Sequence, residues 1–311
     1  MGNGAPFRGD SKAHAKKRRP GLAAKSNAKM GFSKRCLGVA AALFAAMAAS
    51  APVHAAEEAS ASPWVNLHEG SRVRLLTIPG ATVNAAVEVQ LAPGWKTYWR
   101  MPGDAGVPPQ FDWQGTENAK AIEVLYPAPH RLIEPAAETI GYKGSVVFPV
   151  KLPPAEANKP VKVKLDLEIG ICKEICVPAH AEFSAAIPPS PTPASPPAIV
   201  AEALKTVPEQ GAGKDPARPS LVDFRPDLTG PEPKLVIKAR FPGDQAAADV
   251  FIEAPDSIYV PMTKRTTQDA GGVISFESKL SASTAQDLKG KDLTITLVGA
   301  DGAAEVRQPA R

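Results

Sequence analysis

The stretch Val161-Lys-Val-Lys-Leu-Asp-Leu-Glu-Ile169-Gly170-Ile-Cys172-Lys-Glu-Ile-Cys176-Val-Pro178-Ala-His180 alternates apolar and polar residues as far as Ile169 and then sets two cysteines four positions apart. The alternation is that of a half-buried strand. On one extended strand the two cysteine Cα atoms would stand about 13 Å apart, whereas a disulfide needs them within about 7 Å. The pair therefore belongs across a tight turn, with Lys173, Glu174 and Ile175 as the hairpin loop, or on neighbouring turns of a helix. The strand upstream, and Pro178, which stops a helix from continuing cleanly, favour the hairpin.

Three chemistries stay open for this pair: redox couple, structural disulfide and metal-binding dithiol. A bridge closing so short a loop contributes only about 2 kcal/mol in the chain-entropy picture. A chain of this length buries a core without such help. For redox work a thiolate is needed, and Lys173 and His180 are the neighbouring groups able to favour it, with Glu174 opposing. Cys172, Cys176 and His180 recur at four-residue intervals, and soft thiolates suit Cu(I), but no methionine cluster strengthens that set. The plain alternatives are that Lys173 and Glu174 are solvated tip charges and His180 a surface histidine. Trp95, Tyr98, Trp99 and Trp113 read as core and rim aromatics, and Asp104 as a turn residue.

Outward from the hairpin, Pro63 to Ile187 reads as short strands punctuated by proline and glycine. Val83, Ala85, Val87, Val89 and Leu91 alternate and Pro93-Gly94 ends them, Trp95–Arg100 is strand-like, and residues 101–109 are loop. Further strands are expected around Phe111–Trp113, Ile122–Leu125, Val146–Leu152 and Ala181–Ala186. This pattern predicts an all-β chain whose first unit, residues 63–187, is an immunoglobulin-like antiparallel sandwich. Residues 188–219 open with Pro188-Pro-Ser-Pro-Thr-Pro-Ala-Ser-Pro-Pro197, a stiff linker, with a short helix expected at Ala198–Thr206. Strands resume from Leu221, with expectations at Lys234–Phe241, Asp249–Ala254, Val273–Leu280 and Leu293–Val298, as a second, smaller β-sandwich over 220–309. That unit has no cysteine or histidine and reads as an accessory or docking module.

The formal net charge of +4 misleads, because the first 55 residues hold ten of the 36 Lys/Arg and one of the 32 Asp/Glu, leaving −5 for the remainder. A nucleic-acid-binding face is thereby disfavoured. Lys34 and Arg35, the apolar run Leu37–Ala49 and Val53-His54-Ala55 have the order of a secretory signal peptide cleaved after Ala55. Translation starting at Met30 would give that peptide an ordinary length. The thirteen apolar residues fall short of the roughly 20 needed to span a bilayer, so no transmembrane segment is expected in the mature chain. Export would place Cys172 and Cys176 in an oxidising compartment. No Gly-rich phosphate loop, His-x-x-x-His motif or nucleophile elbow is present, so no cofactor is expected.

Gly94-Trp-Lys-Thr-Tyr-Trp-Arg-Met-Pro-Gly-Asp-Ala-Gly-Val-Pro-Pro109, Trp113, Tyr126-Pro-Ala-Pro129, Gly141-Tyr142, Val147-Phe-Pro-Val150 and Cys172-Lys-Glu-Ile-Cys-Val-Pro178 together resemble the N-terminal periplasmic domain of the DsbD disulfide reductases, and within them the copper-sensitivity-suppressor branch, ScsB. The region after the linker resembles the second sandwich of that branch more weakly. The resemblance implies a periplasmic immunoglobulin-fold domain with Cys172 and Cys176 as the redox pair and a cap loop over them, for which residues 101–109 and 132–141 are the candidates. It also implies a membrane-embedded thiol:disulfide reductase as electron donor and periplasmic thioredoxin-fold proteins as acceptors. The transmembrane and Cys-x-x-Cys thioredoxin parts of a full reductase are not in this sequence, so the expected donor is a separate protein. The alternatives are a copper-handling protein or a non-catalytic docking module with a structural disulfide.

Overall fold

A computed structural model describes residues 58–103, 105–134, 138–211, 215–269 and 271–311. The signal-peptide expectation, Met30, Cys36 and Asp104 lie outside the described residues.

Among the described residues, twelve strands precede the proline-rich stretch: β1 (Ser60–Ala61), β2 (Val65–His68), β3 (Ser71–Thr77), β4 (Ala85–Gln90), β5 (Lys96–Gly103), β6 (Gln110–Asp112), β7 (Glu123–Val124), β8 (His130–Ile133), β9 (Glu138–Lys143), β10 (Ser145–Lys151), β11 (Val161–Cys172) and β12 (Cys176–Ile187). One sheet runs β1-β3-β4-β10-β7 with β2 also on β3, and the other runs β12-β11-β5-β9-β8 with β6 also on β11. The alternation seen in the sequence fixes the register of β11. Val161, Val163, Leu165, Leu167, Ile169 and Ile171 are all buried, and they join Val87, Val89, Phe148 and Val150 of the opposite sheet in one apolar cluster. A one-residue slip would turn that whole set to water. Phe111, Tyr126 and Tyr142 each meet Phe148 edge-on at centroid distances of 5.5, 5.3 and 5.6 Å, an arrangement favoured by the ring quadrupoles. This is the all-β, immunoglobulin-like architecture expected from the strand pattern.

The proline-rich stretch does not hang free. α1 (Ala198–Thr206) forms where the short helix is expected, and its Val200 is fully buried against Leu76, Ile78, Ala86 and Val147. After it come β13 (Glu209–Gln210), β14 (Ser220–Asp227), β15 (Lys234–Arg240), β16 (Asp249–Glu253), β17 (Lys264–Gln268), β18 (Val273–Lys279), α2 (Ala282–Leu288), β19 (Asp292–Gly299) and β20 (Gly302–Pro309). They make two four-stranded sheets, β13-β20-β19-β16 and β14-β15-β18-β17, which share a core of Leu235, Ile237, Phe276, Ile252, Ile295 and Leu297. Ser281 caps α2 by accepting from the Thr284 N–H, closing a helix the sequence had not announced.

The later sheets are tied to the earlier ones by charge and by packing. Arg100 on β5 bonds Glu253 on β16 and Glu305 on β20, and Arg131 on β8 bonds Asp249 on β16. Phe251 and Val298 belong to the apolar cluster of the first pair of sheets, with Phe251 5.8 Å from the Trp99 ring. Among the described residues, no helix is long and apolar enough to cross a membrane.

Candidate functional site

β11 ends at Cys172 and β12 begins at Cys176, so Lys173, Glu174 and Ile175 are the loop of an antiparallel hairpin. The cysteines face one another across the ladder with Cα atoms 4.1 Å apart and are joined in a disulfide. Their surroundings differ sharply. Cys172 is 1% exposed, whereas Cys176 is exposed beside a groove of about 400 Å³.

The buried side of the bridge rests on β5. Lys96 is the cross-strand partner of Cys172, and Tyr98, two residues on, donates from its hydroxyl to Cys172 Sγ at 2.9 Å. The same hydroxyl lies 3.2 Å from Cys176 Sγ, so its single proton can serve either sulfur. Burial first, and then the Glu134 carboxylate, push the Tyr98 phenol above its ordinary value of 10.0. It therefore remains a donor throughout the neutral range. Lys96 is 4% exposed, bonds Glu134 Oε2 at 2.5 Å, and holds its Nζ 5.6 Å from the centre of the Tyr98 ring. Thr97 completes the junction by donating to the Gly170 carbonyl at 2.9 Å.

Two glycines let the loop after β5 close over this arrangement. A Cβ on Gly106 would stand 2.3 Å from Pro102 Cβ and 2.7 Å from Tyr98 Cδ1, and one on Gly170 would stand 3.2 Å from Val107 Cβ. Only hydrogen fits at Gly106 without displacement. Val107 and Pro108 thus form one wall of the groove, whose remaining lining includes Gly170, Cys176, Pro178 and His180. Of the two segments expected to cover the cysteines, 101–109 is strand rather than loop as far as Gly103, because β5 continues that far, and its residues 105–109 lie over Tyr98 and Gly170. The other, 132–141, is taken up largely by β8 and β9 and contributes Glu134.

The sequence-selected residues are sorted by this geometry. His180 shares the outward face of β12 with Cys176, but its imidazole bonds Asp166 Oδ1 at 2.7 Å and lies 4.0 Å from Glu182 Oε1. Its nearest potential ligands are those carboxylates, the three residues together forming a compact cluster. Lys173 lays its stem against Gly94, and Glu174 is exposed at the tip. Trp95 and Trp99 are core aromatics, and Trp113 stacks on Phe111. Tyr98, read from sequence as one more core aromatic, is the group that touches both sulfurs. Lys96, Glu134 and Gly106 were not singled out at all. Every residue from Lys96 to Trp99 is buried, so the run has no polar-apolar period to separate a sulfur partner from a core residue.

Residues 66–188 match the family model of the thiol:disulfide interchange protein DsbD, N-terminal domain. The likeness to DsbD seen in the motifs is thereby borne out over the stretch that carries the disulfide, its tyrosine and its covering loop. The N-terminal periplasmic domain of ScsB from Proteus mirabilis has a similar fold, with a TM-score of 0.60 and 22% identity over 80% of this chain and 97% of that one. That coverage exceeds the DsbD-like stretch, so the likeness of fold continues into the later sheets. No curated protein matches the chain.

Proposed function

We propose that this protein is a thiol–disulfide relay working through Cys172 and Cys176 in the periplasm, fed by a separate membrane-embedded reductase and discharging to thioredoxin-fold proteins. On this reading residues 63–187 are the relay unit, 188–219 the connector and 220–309 an accessory sandwich. The observation that carries it is the asymmetry of the bridge: one sulfur accessible in a groove, the other buried against a hydroxyl donor. A staple needs neither feature. The DsbD N-terminal match over the same residues supports the chemistry.

The asymmetry supports one order of events. A donor thiolate attacks Cys176 Sγ, the bond to Cys172 breaks, and Cys172 leaves as a thiolate stabilised by the Tyr98 O–H. The donor's second thiolate then attacks its own sulfur in the mixed disulfide, releasing Cys176 and leaving the donor oxidised and the pair reduced by two electrons and two protons. In discharge, the Cys176 thiolate attacks the acceptor disulfide, and Cys172 then attacks Cys176 Sγ, expelling the reduced acceptor. Leaving-group acidity and access govern both rates.

The deciding experiment is an equilibrium titration of the pair against glutathione, with trapping of free thiols. A potential between about −180 and −260 mV, the span of known relay proteins, is expected. A value below about −300 mV would mark the bridge as structural and overturn the reading.

A further inference from the structure

The outward face of β6, β11 and β12 is a ladder of cross-strand rows leading away from the disulfide. Cys172 and Cys176 form the first row, Gly170 and Pro178 the second, Gln110, Glu168 and His180 the third, and Asp112, Asp166 and Glu182 the fourth. Cys176, the second row and the third row all line the groove, with no side chain at Gly170 and an apolar ring at Pro178 next to the sulfur and Gln110, Glu168 and His180 at its far end. The third and fourth rows carry four carboxylates, Asp112, Asp166, Glu168 and Glu182, and His180 lies close to two of them, Asp166 and Glu182.

Among the described residues, those carboxylates have no lysine or arginine partner. Elsewhere on the same unit acidic groups are paired: Glu88 with Arg74, Glu117 with Lys162, Glu123 with Lys151 and Glu156 with Lys159. Among the described residues no lysine or arginine comes within 4.0 Å of Asp112, Asp166, Glu168 or Glu182, and only His180 approaches two of them. Lys164 is the lone lysine in the next row, opposite Ser184, and Lys173 sits at the far end on the hairpin tip beside Glu174. Lys96 is engaged by Glu134. The face therefore presents a narrow apolar floor at the reactive sulfur and unneutralised negative charge beyond it.

Resting on the relay reading, we infer that the groove receives an extended segment of a partner polypeptide that carries lysine or arginine side chains four to six residues from its reactive cysteine. The spacing follows from the ladder. His180 and Glu182 stand four and six residues from Cys176, or about 13 and 20 Å along the strand. An extended partner laid along the groove with its sulfur at Cys176 brings residues at the same separations over the third and fourth rows. Cationic side chains there supply the charges the face lacks, while the floor accepts small or apolar residues between them. Such complementarity acts chiefly on encounter and register and is weakened by salt.

The test uses the reduced protein and three synthetic ten-residue peptides, each holding its cysteine as a 2-thiopyridyl mixed disulfide and differing only at the fourth and sixth residues from it: lysine, glutamine or glutamate. Release of thiopyridone reports the rate. At low salt the lysine peptide should react about tenfold faster than the glutamine peptide and the glutamate peptide more slowly, with the spread collapsing near 0.5 M salt. In the Asp166→Asn/Glu168→Gln/Glu182→Gln variant the lysine-to-glutamine ratio, taken within that protein, should fall below about twofold, with Glu168→Gln alone intermediate. Equal rates for the three peptides, or a lysine preference that survives the triple variant, would overturn the inference. Hydroxyethyl disulfide, small and uncharged, separates this failure from that of the relay itself. If the reduced protein exchanges with it while the peptide series is flat, only the basic-segment inference is lost.

Discussion

Arg100 holds Glu253 in a two-bond fork, Nε to Oε1 at 2.8 Å and Nη2 to Oε2 at 2.7 Å, and its Nη2 also bonds Glu305. Tyr98, which touches the sulfurs, is two residues away on the same strand. The pair of sheets that bears no cysteine is thus anchored directly to the strand that supports the disulfide.

Replacing Arg100 by methionine leaves Glu253 and Glu305 facing each other with no cation, at a site where both side chains are less than one-fifth exposed. Such a loss costs about 2–4 kcal/mol, somewhat below the figure for a fully buried pair because Arg100 retains some solvent contact. Urea unfolding should show it as a lowered midpoint. Adding Glu253→Gln should recover part of the loss, since one of the two stranded charges is then gone. An unchanged midpoint in the single variant would mean that the two pairs of sheets are not energetically coupled through this contact.

Tyr98→Phe keeps the ring between Gly106 and Gly170 and removes only the hydroxyl. A hydrogen bond to a charged group is worth about 1.5–3 kcal/mol, and the charge here is the Cys172 thiolate that forms as the bridge opens. Reduction by dithiothreitol should slow by about tenfold, since 1.4 kcal/mol corresponds to that factor. The reduction potential should become more negative because the reduced form loses its stabilising donor. Stopped-flow thiol trapping measures the first and glutathione titration the second. Identical rates in the two proteins would remove Tyr98 from the chemistry.

Burial raises the phenols of Tyr98, Tyr126 and Tyr142, that of Tyr126 to about 12. In the unfolded chain each ionises near its ordinary value of 10.0, while the folded chain still holds the protons. Above that pH the unfolded state binds fewer protons than the native one, so stability falls as pH rises. The stabilisation is complete below pH 10 and drains away from there through about 12, where Tyr126 itself ionises. Denaturant titrations between pH 8 and 12 should show the free energy of unfolding level at first and then declining. A flat profile would mean that these hydroxyls reach solvent in the native state.

How much of this was open to sequence reading depends on whether a side chain's neighbours are local. The strict alternation of β11 announced its strand, its inward face and the hairpin that follows, because each of those depends on residues within the stretch itself. α1 formed where expected, and it is buried because Val200 finds an apolar surface on the first sheets rather than because of its own propensity. β20 was not foreseen, since Ala303, Ala304, Glu305 and Val306 are all buried and show no polar-apolar period. Tyr98, Lys96 and Glu134 meet only through the pairing of β5 with β9 and β11, across tens of residues. The four-residue interval from Cys176 to His180 does put both on one face, but about 13 Å of strand separates them, and the histidine turns to Asp166.

The covering loop offers the last test. Val107 is 51% exposed yet lies over Gly170, and Gly106 packs its backbone against the Tyr98 ring. Alanine at position 106 cannot be absorbed by a flexible side-chain end, because its Cβ meets the Pro102 ring at 2.3 Å and the Tyr98 ring at 2.7 Å. The loop must lift. Its residues contribute little to the apolar core, so Gly106→Ala should lower global stability by less than about 1 kcal/mol, as for other surface changes that shift a loop. Small thiols should meanwhile reach the bridge faster, by roughly threefold, as access is one of the factors that set exchange rates. Val107→Ala, which trims the wall without forcing the backbone, should give a smaller acceleration in the same direction. If reduction is no faster in either variant, residues 105–109 do not limit entry to the disulfide, and the wall they form serves only to shape the groove.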